Sequence, residues 1–459
     1  MHNRNRSDLP GSIIGAMAKS DNGRISDSPL RVAIVGYGIL GMVAADFLDD
    51  QRIEIHIFDL VQSQEGCDYF PEPVGPRSLH HPRSSPIGSP GNRDFWGKAV
   101  TNYIDSESLW PGEFIFNLPR YSRVLSKYGF PKLSLQKHDN TKGYLKVSYA
   151  NIKKFKKSIR SKQFSSRIVR HYSLVHSLVQ SDDSILVLTQ EEGKRAQGES
   201  FDYVIVCAGP LNSFNLINKS RLIPDVKSTE FRDHPNIVLG GVKTWKPVLI
   251  KRRFRNKAIT YGSKPGAIVF TLNNEILITL RIRPELASTN FASKTSLVKK
   301  SVLYTKRAFL KLCRVLGFFY CDTFTVTVAF DFTRPEILGI VSDSGEISQF
   351  TYSGFGPKVD SLLTQKLDDV IKQNFGEFER TWGIRSSVFE EIPAAHCSGF
   401  LGLFTNSQGE SVLDGFRLRN FPRISIPGSV SFPSSVVGHP TYMALSTVLF
   451  EVERIKSRL

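Results

Sequence analysis

A glycine-rich turn between two apolar runs constrains the fold of this chain more than any other feature. Residues 32–35 form a short apolar run that leads into GYGILG at 36–41, and an apolar helical face follows at 42–48. A second run, 53–58, alternates in polarity and stops at Asp59. The pattern predicts a strand, a helix and a second strand of a Rossmann-like α/β unit.

Each glycine of this turn has a physical role. Gly36 allows the tight turn, Gly38 lets the backbone approach a pyrophosphate, and Gly41 lets the helix pack closely on the strand. The helix N-terminus then faces the anion with unpaired N–H groups and a partial positive charge. Asp59 follows at a spacing typical of an acid that accepts hydrogen bonds from a ribose diol. A glycine turn in an ordinary strand-helix-strand unit would not explain the acid, so the stretch predicts a dinucleotide site.

Composition narrows the class of protein. The 459 residues are 41% hydrophobic and 22% charged, as in a globular protein large enough for two or three lobes. We find no uncharged apolar run of about 18 residues and no signal-like N-terminus, so we expect neither a transmembrane helix nor secretion. Five scattered cysteines suggest a reducing, cytoplasmic setting. No metal site is expected, because the tandem pair His80 and His81 has no cysteine or acid cluster beside it.

The net charge of +17 gives information about partners. Residues 299–319 read as a basic amphipathic helix, which can lie on an anionic membrane surface or pack its apolar face on the core. No recognisable nucleic-acid-binding module is present, so we expect no nucleic-acid partner.

Further strands and helices can be placed along the chain. The apolar strand at 201–210 ends on Ala208-Gly209, and this small-residue exit predicts a second contact with the same dinucleotide. Strand candidates lie at 237–242, 267–271, 275–282 and 324–332, and helical patterns at 361–375 and 441–458.

Several separated blocks resemble one family, the glucose-methanol-choline (GMC) oxidoreductases, in the family's order. The blocks are the turn at 36–41, GNRDFWGKAV at 91–100, LWPGEFIFNLPRYSRVLSKYG at 109–129, FDYVIVCAGPLNSFNLI at 201–217, FRDHPN at 231–236, AHCSGFLG at 395–402, VLDGFRLRNFPRISIPGSVSFPSS at 412–435 and GHPTYMALS at 438–446.

The resemblance implies a fold and a cofactor. The fold is α/β, an FAD/NAD(P)-binding Rossmann-like domain with a second antiparallel-sheet substrate-binding domain. It places a discontinuous FAD domain at 30–220 and 380–459 and a substrate domain at 221–379, after a disordered leader at 1–29. The implied FAD contacts are Gly36, Gly38, Gly41, Asp59, Trp96, Gly97, Val175, Ala208, Gly209, Gly428, Ser429 and Pro440.

The resemblance also implies the chemistry. His396 falls on the family's base and His439 on its partner position. Oxidation of an alcohol needs a proton taken from O–H and a hydride taken from the adjacent C–H by the flavin. A neutral imidazole suits the first step, and a second can hold the substrate oxygen. The two histidines can also exchange these roles.

The expected function is therefore FAD-dependent oxidation of a CH–OH group of an alcohol or sugar. The basic charge favours an anionic or lipid-linked substrate, and the electron acceptor, oxygen or another, stays open. One alternative is a catalytically weak flavin-binding protein that contacts the inner membrane surface through 299–319. Another is a nicotinamide-dependent dehydrogenase, which would leave the strand at 201–210 and the two histidines unexplained.

Overall fold

The computed structural model describes most of the chain in separate stretches. The described residues are 28–59, 98–99, 110–127, 143–145, 148–149, 163–181, 183–190, 197–224, 226–231, 236–251, 259–260, 264–265, 267–272, 276–284, 308–313, 315–332, 337–352, 365–373, 377–380, 398–405, 408–433 and 441–459. The predicted leader lies outside them, except for residues 28 and 29.

The described chain mixes strands and helices. The strands are β1 (Leu30–Val35), β2 (Ile53–Phe58), β3 (Lys98–Ala99), β4 (Gly143–Leu145), β5 (Ser148–Tyr149), β6 (Arg167–His171), β7 (Leu174–Ser181), β8 (Ser184–Gln190), β9 (Gln197–Phe201), β10 (Tyr203–Val206), β11 (Ser228–Phe231), β12 (Asn236–Lys251), β13 (Ile259–Thr260), β14 (Lys264–Pro265), β15 (Ala267–Leu272), β16 (Ile276–Pro284), β17 (Phe318–Phe332), β18 (Ile337–Val341), β19 (Ile347–Tyr352), β20 (Phe378–Arg380), β21 (Leu413–Asp414), β22 (Arg417–Leu418) and β23 (Phe421–Ser425). The helices are α1 (Ile39–Leu48), α2 (Gly112–Lys127), α3 (Pro210–Lys219), α4 (308–313), α5 (365–373) and α6 (Thr441–Lys456), with a short 3-10 helix at Ser429–Ser431.

A parallel sheet organises the cofactor side of the molecule. Its strands run in the order β23-β10-β1-β2-β6, every neighbouring pair is parallel, and β22 and β21 extend it antiparallel at one edge. Because parallel strands end at the same edge, the turns that follow β1, β2, β6, β10 and β23 meet there.

The alternation of β1 separates two apolar cores. Val32 and Ile34 pack with α1, α2 and α6 on one face of the sheet. Ala33 and Val35 pack on the other face with α3 and the β7-β8-β9 meander. The sheet is therefore buried on both faces, which explains the continuous apolar run at 32–35.

Helix α6 lies beside α1 and runs in the same direction. Near its C-terminal end, Lys456 Nζ donates to Phe47 O in the last turn of α1 (3.2 Å), and its middle residue Thr447 contacts Gly428 beyond β23. The N-terminus of α6 therefore points toward the same edge of the sheet as the N-terminus of α1.

A second, antiparallel sheet follows the order β14-β13-β16-β17-β12-β20, with β15 and β4 paired beside β16. Strands β11, β18 and β19 form a further three-stranded sheet. The predicted fold class, a Rossmann-like domain with a second antiparallel-sheet domain, is confirmed. The predicted domain limits stay a prediction; β4, from the 30–220 segment, pairs with β15 of the 221–379 segment.

None of the helices in the described part of the chain is long and apolar enough to cross a bilayer.

Candidate cofactor-binding site

Three neighbouring strands of the parallel sheet each lead into a glycine at the start of a helical segment. Gly38 precedes α1 after β1, Gly209 precedes α3 after β10, and Gly428 precedes the 3-10 helix after β23. None of the three has a side-chain hydrogen bond as its cap. The edge is thus lined by backbone at the places where a helix N-terminus offers N–H donors and partial positive charge.

The three glycines of the first turn differ in how much space a side chain would have. Gly36 has φ +93°, and a Cβ there would lie 2.7 Å from Cys207 O. A Cβ on Gly41 would lie 2.1 Å from Gly36 O. A Cβ on Gly38 would meet no other heavy atom of the described chain within 4 Å. The fold therefore needs Gly36 and Gly41, whereas the space beside Gly38 is open to a ligand.

The third glycine segment is held against two helices. Gly428 has φ +114°, and a Cβ there would lie 2.9 Å from Leu40 Cδ1 of α1. Its N–H donates to Thr447 Oγ1 of α6 (2.8 Å). The Leu40 neighbour places the Gly428-Ser429 turn beside the GYGILG turn. Sequence reasoning missed Thr447, because a threonine inside a helix gives no signal of its tertiary partner.

The predicted ribose ligand follows the neighbouring strand. Asp59 comes directly after β2, and its N–H donates to His171 O at the end of β6 (3.0 Å). It is half-buried at the carboxyl edge, next to the end of β1. Val175 lies in β7 and packs in the cluster that contains Val35 and Phe58, the last residues of β1 and β2. Both positions agree with a nucleoside bound at this edge.

A positive charge lies near the turn. Arg170 of β6 places its guanidinium over the ring of Tyr37, 5.2 Å from the ring centroid. Tyr37 separates Gly36 from Gly38, so the cation lies close to the position predicted for a pyrophosphate. Sequence reasoning could not connect Arg170 with Tyr37, because the two come together only through the pairing of β2 with β6.

Cys207 has a structural part in the site. Its N–H donates to Val35 O (2.7 Å), and its carbonyl is the atom that a side chain at Gly36 would strike. Burial raises the pKa of the Cys207 thiol to about 12. The thiol therefore stays protonated at neutral pH and is unreactive.

The two predicted catalytic histidines, His396 and His439, lie outside the described residues, as do Trp96, Gly97 and Pro440. Their described neighbours lead to the glycine edge. Gly399 N–H donates to Ser429 O (2.8 Å), so the loop that follows His396 is attached to the Gly428-Ser429 turn. His439 precedes α6, whose N-terminus points to this edge.

The residues present fit a bound dinucleotide. The open space beside Gly38 and the uncapped glycine at each of three neighbouring turns suit the close approach of a pyrophosphate, and Asp59 offers a carboxylate next to the same edge. This donor set, with the Asp59 carboxylate at the ribose position, suits an unphosphorylated ribose.

Comparison with known proteins gives a structural match and no sequence match. No family model and no curated protein sequence matches the chain. Among solved structures, pyridoxine 4-oxidase from Mesorbium loti is similar with a TM-score of 0.51 and 14% identity, over 93% of this chain and 99% of the oxidase. The oxidase has the two-domain fold of the GMC oxidoreductases. The chain is therefore similar in fold to a GMC oxidoreductase.

Proposed function

We propose that the chain binds FAD and oxidises a CH–OH group of an alcohol or sugar. The observation that carries the proposal is the glycine-lined edge where β1, β10 and β23 end, in a fold that matches an oxidase along almost its whole length. That oxidase is named for pyridoxine, which is an alcohol. When bound, FAD supplies the acceptor for the hydride.

The chain's own residues bind and orient the cofactor. The first turn of α1 faces the pyrophosphate with backbone N–H groups, Gly38 leaves room for it, and Asp59 accepts hydrogen bonds from the ribose. The Gly428-Ser429 turn, held by Thr447, forms the neighbouring wall.

His396 takes the proton of the substrate hydroxyl, and His439 holds the substrate oxygen. A neutral imidazole in this role typically contributes about 10²–10⁴ in rate. Two observations support the assignment: the backbone attachment of Gly399 to Ser429, and the direction of α6, which His439 precedes.

An absorption spectrum of the purified chain, before and after anaerobic addition of a panel of alcohols and sugars, tests the proposal. We expect flavin bands that bleach with one class of substrate. His396→Ala should retain the bands and lose the bleaching, whereas the exposed-residue control His176→Ala should behave like the parent chain. A colourless chain that takes up no added FAD would contradict the proposal.

The substrate is proposed to carry negative charge, because the chain has a net charge of +17. At low salt, the phosphorylated form of an accepted alcohol should have a higher kcat/KM than the neutral form, and added salt should reduce the difference. Equal turnover of both forms at low salt would overturn this part of the proposal.

A second candidate function, contact with an anionic membrane surface, is favoured by the exposure of α4. Around this helix, Phe309, Leu312, Val315 and Leu316 are 46–78% exposed, although they are apolar, and Lys311 lies among them. We propose that this surface, which we call the α4 apolar surface, docks on an anionic membrane, with a flavin-binding chain at the cytoplasmic face of the inner membrane. Lys306, Arg307 and Arg314 of the predicted basic helix lie outside the residues whose side chains are described.

Co-sedimentation with anionic vesicles tests the membrane proposal. Leu312→Ser with Leu316→Ser should reduce binding, and so should charge reversal at Lys306, Arg307 and Lys311. Leu338→Ser with Ile340→Ser, which changes two exposed apolar residues of β18, is the matched control and should leave binding unchanged. Failure of the parent chain to bind anionic vesicles would end this proposal and leave the flavin proposal intact.

A further inference from the structure

Two histidines and a glutamate meet beside the parallel sheet, on the face that carries the meander. His56 comes from β2, His171 from β6 and Glu199 from β9. His56 Nδ1 lies 2.8 Å from His171 Nε2 and 3.5 Å from Glu199 Oε1, and His171 Nε2 lies 3.7 Å from Glu199 Oε2. None of these contacts belongs to the cofactor edge.

These separations are close to those in a zinc site. Zn²⁺ binds imidazole nitrogen and carboxylate oxygen at about 2.0–2.2 Å, and its ligands lie at the corners of a tetrahedron. Two such ligand atoms are then roughly 3.3–3.5 Å apart. Each of the three residues offers a ligand atom within 4.8 Å of the other two. The observed separations fall on either side of the tetrahedral value, so small side-chain rotations suffice to bind an ion.

The surrounding side chains orient the ligand atoms. His56 Nε2 lies 2.6 Å from Glu54 Oε1 and 3.3 Å from Arg31 Nη2. In the tautomer that donates Nε2–H to Glu54, the lone pair of Nδ1 faces His171 and Glu199. A carboxylate behind a ligating histidine is a common support of metal sites. Arg31 donates to Glu199 Oε1, which leaves Oε2 on the side of His171.

Ring contacts and burial also favour ligation. The His171 ring stacks on Phe58, with centroids 4.3 Å apart, so its orientation is fixed. The side chain of His56 is 3% exposed, whereas those of His171 and Glu199 are 24% and 37% exposed. An ion can therefore enter from solvent past Glu199.

We propose that His56 Nδ1, His171 Nε2 and the Glu199 carboxylate bind one divalent transition-metal ion of the zinc class, with water as the fourth ligand. The ion replaces the hydrogen bond between the two imidazoles, and the proton of that bond moves to His171 Nδ1, because a neutral imidazole keeps one N–H. The site joins β9 of the meander to β2 and β6. It is independent of the proposed oxidoreductase function.

The location of the ion would connect it with the cofactor edge. His171 is a ligand through its ring, and its carbonyl accepts the N–H of Asp59. An ion bound to His171 therefore fixes the end of β6 on which Asp59 depends. The joined elements are far apart in sequence, so the ion restrains the pairing of β2 with β6 rather than one local turn.

Binding of Zn²⁺ alone to the full-length chain tests the proposal. After removal of bound metal with a chelator, equilibrium dialysis should show one Zn²⁺ per chain, and Co²⁺ in its place should give the visible absorption of a tetrahedral ion. His171→Gln and Glu199→Gln should lower the affinity at least 100-fold. Glu54→Gln, which removes a supporting carboxylate, should lower it about 10–100-fold.

The matched control is His176→Gln, in the exposed part of β7, which should bind Zn²⁺ like the parent chain. Far-UV circular dichroism of each variant distinguishes loss of a ligand from loss of the fold. Absence of a stoichiometric Zn²⁺ site in the parent chain, or equal binding by folded His171→Gln, would overturn the proposal. Neither outcome depends on FAD or on turnover.

Discussion

The glycine edge follows β1, β10 and β23, whereas the histidine cluster lies on β2, β6 and β9, and the first is built from backbone and the second from side chains. At the edge, Gly38, Gly209 and Gly428 present backbone. In the cluster, His56, His171 and Glu199 meet through side chains. His171 takes part in both, since its carbonyl binds Asp59 N–H while its ring faces His56.

This difference determines which substitutions each region can tolerate. A backbone site depends on conformation and space, so an added methyl group is a severe change there, and the backbone groups themselves do not titrate. A side-chain cluster depends on charge and hydrogen bonds, so removal of one partner is the severe change. The following substitutions test this distinction, starting with the largest expected effect.

Gly41→Ala should destabilise the fold most. Its Cβ would lie 2.1 Å from Gly36 O, a backbone atom that can move only with the whole turn. We expect a loss of about 3 kcal/mol or more in the free energy of unfolding, measured by urea denaturation, together with loss of bound FAD. Gly112→Ala, where an added Cβ meets nothing within 4 Å in the described chain, is the control and should change stability little. A stable Gly41→Ala variant would contradict the packing role of this glycine.

Gly38→Ala should leave the fold intact and weaken the binding of FAD. The added Cβ has open space in the chain, and the backbone at Gly38 is extended (φ −68°, ψ −169°), which alanine adopts without strain. The free energy of unfolding, measured by urea denaturation, should therefore change by less than about 0.5 kcal/mol. The Kd of FAD, measured by quenching of flavin fluorescence, should rise about tenfold or more, a loss of at least ~1.4 kcal/mol. An unchanged Kd would mean that the pyrophosphate does not pass this glycine.

Arg31→Ala, which removes a contact of the histidine cluster, should lower the stability of the fold moderately. Arg31 donates to Glu199 and to Ser200 O, and its guanidinium lies 4.9 Å from the centroid of the Phe201 ring. Its removal should lower the free energy of unfolding by about 1–2 kcal/mol, and FAD affinity should change little. Arg52→Ala, at a side chain that is 59% exposed, should cost less than about 0.5 kcal/mol. Equal losses in the free energy of unfolding for the two variants would show that the contacts of Arg31 in the cluster stabilise the fold no more than an exposed ion pair does.

Glu451→Gln should give the smallest effect, and its sign depends on pH. Glu451 of α6 is buried behind the edge, where Ser425 Oγ donates to Oε2 (2.9 Å). Burial raises the pKa of Glu451, so the folded chain holds the proton more tightly than the unfolded chain. Its contribution to stability is complete below the unfolded pKa and is lost as pH rises through the folded pKa.

Glutamine cannot ionise, so Glu451→Gln should change Tm little at pH 4 and raise it relative to the parent at pH 8. A gain of about 1 kcal/mol corresponds to roughly 2–4 °C for a domain of this size. Thermal melts at the two pH values check the sign, and a fall in Tm at pH 8 would contradict it.

The parts of the molecule that could be predicted from the sequence are those in which a short run of neighbouring residues determines the local structure. The GYGILG turn is confirmed, and so is the strand that leads to Ala208-Gly209, as β10 (Tyr203–Val206), because a local pattern determines each of them. Of the helices predicted at 361–375 and 441–458, the described residues confirm 365–373 and Thr441–Lys456. All the assigned FAD contacts, and the roles of His396 and His439, stay predictions.

The features that could not be predicted from the sequence depend on tertiary contacts between distant parts of the chain. Thr447 and Gly428 are neighbours only because α6 packs beside β23, and the members of the histidine cluster come from three strands. Strand β12 was predicted at 237–242 but continues to Lys251, past Pro247. The register shift between Lys243 and Val248 accommodates the proline, which has no N–H for the ladder.

The position of β23 and α6 affects how the protein is made. The first strand-helix-strand unit leaves the ribosome early, but β23 pairs with β10 and α6 covers α1 only after about 250 further residues have been synthesised beyond β10. At typical rates of 5–20 residues per second this takes roughly 10–50 s. During that interval the apolar face of α1 lacks its final cover, so the nascent chain should need chaperone protection until Lys456 has emerged.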